Sequence, residues 1–372
     1  MPQSSHTPDH LEEIAYSDLS GWTQDDQSKA LTSFLRFCAK PEALGSNPAS
    51  VRYALADMPS LCAAIDQASL ATNDEIRHFI EAHFTAYLIT KPGFVTGYFE
   101  PEVPASRTRS DRFSVPLHKK PTGLEALTPE TRPTGWPEQF SHGRRVGSGF
   151  EELPDRSAIM DGALDAEQLE LVWLADPIDA YFIHVQGSAR LRLSDGSVMR
   201  VGYAGKSGHP YTGIGRLLVK RGEGTPEDFT MAGLRSWLAA DPHRRDALFR
   251  ENRSYIFFRE VTETGPNEGP VGASGLPLTP GRSLAVDPEH IPYGALVFVE
   301  AGFPDADADG RDFSRLMVAD DTGSAIRGPA RGDIFTGSGD PAGDLAGEIR
   351  HEARFTILVP KRPGTGAELA TD

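Results

Sequence analysis

Asp320 and Asp321 close a short apolar run, Leu316 to Ala319, and are followed at once by Thr322, Gly323 and Ser324. An apolar run of that length reads as a buried strand. A carboxylate at the end of such a strand, on a turn that glycine lets bend sharply, sits on rigid scaffold and can still face a cleft. A carboxyl group so placed can pass a proton to or from a substrate. Asp333 stands just before another apolar pair, Ile334 and Phe335, and Asp287 follows the short run Leu284 to Val286. No Ser-His-Asp order, Cys-His pair or P-loop competes with these acids. The two cysteines and the scattered His and Asp residues show no metal-ligand spacing, so neither metal nor cofactor is expected.

The elements that must hold these acids are predicted to be mainly β with peripheral helices. With 372 residues the chain has room for two or three domains. Its 37 Gly and 29 Pro imply many turns, which suits a β-rich protein. Short strands are expected at Phe94 to Glu100, Ser254 to Glu260, Leu296 to Glu300, Leu316 to Ala319 and Arg354 to Pro360; with Pro/Gly turns between them they suggest a small closed β-barrel. Asp195-Gly196 lies between two β-rich runs, Tyr181 to Ser194 and Ser197 to Ala204, and predicts a hairpin. Helices are expected at Thr23 to Lys40, with Thr23 as cap, at about Pro59 to Leu70, at Asn73 to Leu88, at Gly213 to Lys220 and at Pro226 to Ala240. Residues 1–20 read as a flexible tail. Cys38 and Cys62 fall on two of the N-terminal helices. Two buried thiols and a disulfide are both open readings, and a disulfide would imply an oxidising compartment.

Other stretches have the chemistry of a binding surface. Val95 to Pro101 is strand-like and aromatic, and mixes Thr96, Gly97, Tyr98 and Glu100. Aromatic faces beside hydroxyl and carboxylate groups suit a sugar-binding cleft. Gln186-Gly187-Ser188 interrupts an apolar run with small and amide groups, as a close-approach edge would. His184, set among apolar residues, reads as a core histidine. Between Arg190 and Arg221 seven Lys/Arg, Lys206 among them, stand against one acid, Asp195. In a chain of net charge -16 this local excess could favour an anionic polymer. The overall charge argues against nucleic acid as partner. No run is long and apolar enough to span a membrane, and the N-terminus lacks the pattern of a signal peptide.

The motifs 278–288 (LTPGRSLAVDP), 291–300 (IPYGALVFVE), 321–328 (DTGSAIRG) and 332–335 (GDIF) resemble the three-aspartate, or 3D, domain, with Asp287, Asp321 and Asp333 matching its namesake aspartates. Upstream, 95–101 (VTGYFEP), 181–191 (YFIHVQGSARL), 201–218 (VGYAGKSGHPYTGIGRLL) and 252–260 (NRSYIFFRE) resemble the membrane-bound lytic murein transglycosylase A family. The resemblance spans about Phe94 to Val359. It implies a double-psi β-barrel from 90–108 and 250–362, a β-rich insert over 109–249 that faces it across a groove, a tail and helical segment over 1–89, and a C-terminal tail over 363–372. It also implies a peptidoglycan substrate and a periplasmic or outer-membrane location. A monomer is expected.

A lytic transglycosylase needs one carboxyl group where ordinary glycosidases need two. The group protonates the glycosidic oxygen, then accepts the proton of the substrate's own C6 hydroxyl as a 1,6-anhydro ring closes. That role falls to Asp321. Asp320 is expected to point to the other face and be structural. Asp333 and Asp287 are expected to raise the pKa of Asp321 or hold its loop. Thr96, Gly97, Tyr98, Glu100, Gln186, Gly187 and Ser188 are candidates for sugar subsites, and Lys206 for substrate carboxylates. Two rivals remain. Asp321-Thr322-Gly323 is also the aspartic-protease motif, but that chemistry needs two such aspartates, so a dyad would require a symmetric dimer. A non-catalytic glycan-binding module would bind and cut nothing.

Overall fold

The computed structural model describes residues 10–45, 58–68, 70–265, 268–305 and 310–361. Residues 1–9 of the tail expected over 1–20 lie outside the described residues, and the rest is ordered: β1 (Leu11–Ile14) pairs with a later strand. Among the described residues three α-helices follow, α1 (Gln27–Ala39), α2 (Met58–Gln67) and α3 (Asn73–His83). Asp26, not Thr23, caps α1, accepting from the Ser28 amide. Thr72 and Glu75 form a reciprocal capping box on α3. The helix predicted to reach Leu88 stops at His83, because Phe84 onward is strand β2 (Phe84–Ile89), antiparallel to β1. Its aromatic and β-branched residues suit that state once a partner strand is present. The chain continues as β3 (Gly93–Glu100).

The chain folds into two compact units. Among the described residues the first comprises those of 10–98, 271–337 and 349–361, the second those of 99–270 and 338–348. The cuts therefore fall at Tyr98/Phe99 and Pro270/Val271, rather than near 108 and 250, and the N-terminal helices belong with the first unit.

The second unit carries β4 (Glu102–Ser106), β5 (Val115–His118), β6 (Leu124–Ala126), β7 (His142–Val146), β8 (Gly149–Glu151), β9 (Glu170–Leu174), β10 (Ser188–Leu193), β11 (Val198–Lys206) and β12 (Ile256–Val261). Six of them form one sheet in the order β12-β11-β10-β4-β9-β5, and β6-β7-β8 form another. The hairpin at Asp195-Gly196 joins β10 to β11. The first half of the run expected as strand is instead a helix, running from Pro177 to Gln186. Asp176 caps it, Pro177 occupies its first turn and Gly187 ends it at φ +80°. Met231–Ala240 is helical from a Thr230 cap, a shorter helix than the one expected from Pro226, and Pro242–Glu251 adds another that the sequence reading did not contain.

The first unit completes its sheet with β13 (Ser283–Ala285), β14 (Leu296–Pro304), β15 (Asp312–Asp321), β16 (Arg331–Ser338) and β17 (Arg350–Pro360). The order is β1-β2-β17-β14-β15-β13-β16-β3, and β3 also pairs with β17. Pairings thus run β17-β14-β15-β13-β16-β3 and return to β17. Leu296 to Val299, Leu316 to Ala319 and Phe355 to Leu358 are almost wholly buried, as continuous apolar strands enclosed on both faces should be. Helix α1 is fastened to this sheet by a buried ion pair: Arg282 donates two hydrogen bonds to Asp25, which also accepts from the Leu316 amide. A disulfide joins Cys38 of α1 to Cys62 of α2. No helix among the described residues is long and apolar enough to cross a membrane.

Candidate active site

The central strand of the site is β15, held antiparallel to β14 and parallel to β13. Its pairing with β13 slips by one residue at the end: Leu284 faces Ala319, but Ala285 faces Asp321. Asp320 is the extra residue. Such a bulge re-aims the side chains that flank it. Asp320 turns inward, 2% exposed, and its Oδ2 accepts from Ser283 Oγ at 2.5 Å. Asp321 emerges half-buried. Burial drives the Asp320 carboxyl well above the usual range, with the charge of Asp321 adding to the effect.

Two donors fix the Asp321 carboxyl. The Tyr98 hydroxyl donates to Oδ2 at 2.7 Å, and the Ala273 amide donates to Oδ1 at 2.8 Å. Both favour the carboxylate. Burial outweighs them, so Asp321 is held above the ordinary carboxyl range. The charge of Asp321, after burial itself, drives the Tyr98 phenol far up, so Tyr98 stays a donor.

Ala285 also faces Asp333, across β16. Asp321 and Asp333 therefore flank the same residue from two neighbouring strands. Thr96 Oγ1 donates to Asp333, and Arg331 donates to Thr96 Oγ1 at 2.7 Å. Burial, with a smaller contribution from the charge of Asp321, pushes Asp333 up to about 6 against the pull of Thr96 and Arg331. Thr96 and Tyr98 are two apart on β3, so they share a face, and each holds one acid. Gly97 stands between them.

Asp287 serves the loop that follows β15. It is 3% exposed, accepts from the Gly328 amide at 2.8 Å and meets Arg327 at 3.4 Å. Thr322 Oγ1 closes the same loop onto the Val286 carbonyl at 2.7 Å. Tyr293 also belongs here: burial, then the charge of Asp321, pushes its phenol up to about 12.

The remaining predicted residues lie in the second unit. Glu100 is fully buried and ion-paired with Arg200 at 2.8 Å, so it has no surface with which to line a sugar subsite. Gln186 ends a helix and its Oε1 accepts from the Phe99 amide at 3.1 Å. Gly187 is the left-handed residue that ends that helix, and Ser188 is a buried first residue of β10. Lys206 closes β11. His184 is buried and its Nδ1 accepts from the Ile256 amide, a core role.

The sequence reading missed Ala273, Tyr293 and Arg331. Arg331, two residues before Asp333, carried the only local signal. Ala273 contributes a backbone amide, which no residue type announces.

The family model described as the MltA specific insert domain matches residues 94–259, and that described as the 3D domain matches 282–359. The crystal structure of a membrane-bound lytic murein transglycosylase from Agrobacterium tumefaciens aligns at a TM-score of 0.85 and 39% identity, covering 94% of this chain and 97% of that one. MltA from Neisseria gonorrhoeae aligns at 0.73 and 30% identity, covering 95% and 94%. The curated Escherichia coli K12 protein named membrane-bound lytic murein transglycosylase A is 33% identical over 277 residues, 73% of this chain but 66% of that protein, just under two thirds of its length. The chain belongs to the membrane-bound lytic murein transglycosylase A family.

Proposed function

We propose that this protein is a peptidoglycan lytic transglycosylase. It cleaves the β-1,4 bond between N-acetylmuramic acid and N-acetylglucosamine and leaves a 1,6-anhydromuramoyl end. The observation that carries the reading is the Asp321 carboxyl: raised by burial, set on a strand end, and held at one oxygen by Tyr98 and at the other by Ala273. A carboxyl group that must begin as an acid and end as a base needs a raised pKa and a fixed orientation.

Asp321 gives its proton to the glycosidic oxygen as the bond to C1 breaks. The resulting carboxylate takes the proton of the C6 hydroxyl as that oxygen closes on C1. The nucleophile is tethered to the ring it attacks, so the step has the entropic advantage of an intramolecular reaction. The two fixed donors stabilise the carboxylate intermediate state. Asp287 is a positioning group for the loop after Asp321, and Asp333 is a neighbouring acid tied to Thr96. We read the ring of pairings in the first unit as the double-psi β-barrel of the 3D domain. The Cys38–Cys62 disulfide supports an oxidising location such as the periplasm or the inner face of the outer membrane.

Mass spectrometry of the products from peptidoglycan sacculi tests the reading. Muropeptides ending in 1,6-anhydro-N-acetylmuramic acid, one water lighter than hydrolytic products, are expected. Reducing ends would mean a hydrolase, cut peptides a protease, and no product a binding module.

A further inference from the structure

The excess of cations between Arg190 and Arg221 is mostly neutralised within the fold. Arg190 and Arg192 meet Glu102, Arg200 meets Glu100, and Arg221 meets Glu251. A different pair of cations is left over. Lys119 and Lys120 are exposed, and neither has an ion-pair partner among the described residues. They stand on the rim of a cleft of about 590 Å³ in the second unit.

The floor of the cleft is apolar, with Leu171, Ala204 and the buried Phe258. Lys119 bridges Phe258 in parallel register, so the end of β5 lies beside β12 there. The pairing of β11 with β12 slips between Tyr203 and Gly205, and Tyr203 is left 47% exposed on that bulge. Gly205 carries no side chain, and the Lys120 stem passes 3.6 Å from where a Cβ would be. That packing lays the stem on the sheet and leaves the ammonium at the rim.

Three of the acids nearby are already engaged, Glu260 of the cleft lining among them; among the described residues Glu170, opposite His118, is not. Glu260 receives Arg107 at 2.9 Å, Glu125 receives Arg145 at 2.7 Å, and Arg259 on the rim is held by Glu263 at 2.6 Å. His142, whose Nε2 lies 3.4 Å from the Tyr203 hydroxyl, is depressed to about 4 by burial and by the charges of Lys206 and Lys120. The local field is therefore positive in a chain of net charge -16.

We propose that this cleft binds the carboxylate-bearing peptide stem of a muramoyl residue. This rests on the transglycosylase reading, and it names a substrate part that the acid site does not touch. An apolar floor takes the short alkyl side chains, the exposed Tyr203 ring takes a sugar or peptide face, and Lys119 and Lys120 take the carboxylates. A strongly acidic enzyme gains from such a patch, because the stems of its polymer are themselves anionic.

Titration calorimetry with the full protein tests the assignment, using a soluble N-acetylmuramoyl peptide with free carboxylates and the same compound with them amidated. The free-acid form should bind about tenfold more tightly, with the difference shrinking as salt rises. A Lys119→Gln/Lys120→Gln variant should lose the difference, and Lys119→Arg/Lys120→Arg should keep it. Equal binding of both forms, or a difference that survives the Gln variant, would overturn the assignment. Cleavage of sacculi is scored separately. Anhydro products without acid-amide discrimination sink this assignment alone; discrimination without cleavage supports the cleft and sinks the transglycosylase reading alone.

Discussion

At the scale of single residues, the site depends on how two hydroxyls on one strand meet two acids. Asp321→Asn removes the proton donor and keeps the shape, so cleavage of purified glycan should fall by about 10²–10⁴-fold. Tyr98→Phe is the subtler change. Its hydrogen bond to Oδ2 favours the carboxylate, so its loss should raise the Asp321 pKa further. The acid form starts the reaction, and activity is lost as pH rises through that pKa. The alkaline limb of kcat/KM should therefore move to higher pH in Tyr98→Phe while kcat falls; a purely packing role would leave the profile in place.

Asp333 gives a stability prediction. Its carboxyl is raised to about 6 in the fold. A raised carboxyl binds its proton more tightly folded than unfolded. Its contribution is fully present below the unfolded value of about 3.9 and is lost as pH rises through about 6, at most about 3 kcal/mol. Asp333→Asn should flatten this part of the pH dependence and be the more stable protein at about pH 8. Urea midpoints of both proteins on either side of the window check it.

At the scale of elements, what could be read from the sequence follows from where the information lies. The strands around Leu296 to Glu300 and Leu316 to Ala319 are apolar throughout and too short for helices, so their state was legible. The acid at the end of β15 was legible for the same reason. The bulge that separates Asp320 from Asp321 was not, because it arises from pairing with β13, far off in sequence. Phe84–Ile89 carries a helical stripe onward from α3 and becomes strand only because β1 and β17 flank it. Tyr181 to Gln186 reads as the start of a strand because its apolar run has no helical period, although Asp176, Pro177 and Gly187 mark the two ends of a helix. The disulfide was undecidable, since two helices can carry cysteines that never meet. Joined, Cys38 and Cys62 close a loop of sequence separation 24. Cys38→Ala/Cys62→Ala should lower stability by about 3 kcal/mol, read from thermal unfolding, and leave cleavage per folded molecule unchanged.

At the scale of the molecule, the second unit is a long insertion whose chain passages converge on one ion pair. The chain enters at Phe99-Glu100, leaves through the segment before Val271 and returns at Ser338. Glu100 sits at the entry, fully buried, and receives Arg200 at 2.8 Å. Arg200 also donates to Thr264 Oγ1 at 2.7 Å and to the Glu268 carbonyl at 2.8 Å, both on the exit segment. Ser338 Oγ donates to Glu100 Oε2 at 2.7 Å, and the Gly339 amide to the Glu100 carbonyl at 2.9 Å, which fixes the return. Burial raises the Glu100 carboxyl even so, against the pull of Ser338 and Arg200. Removing either partner alone strands the other inside the protein, at a cost of about 3–5 kcal/mol. Arg200→Met should therefore lower the unfolding temperature sharply, while Arg200→Met with Glu100→Gln should regain a good part of the loss, because no buried charge is then left unpaired. If the double variant is no more stable than the single one, the pair is not what holds the three passages, and the carbonyl contacts of Arg200 with the exit segment must carry that role alone.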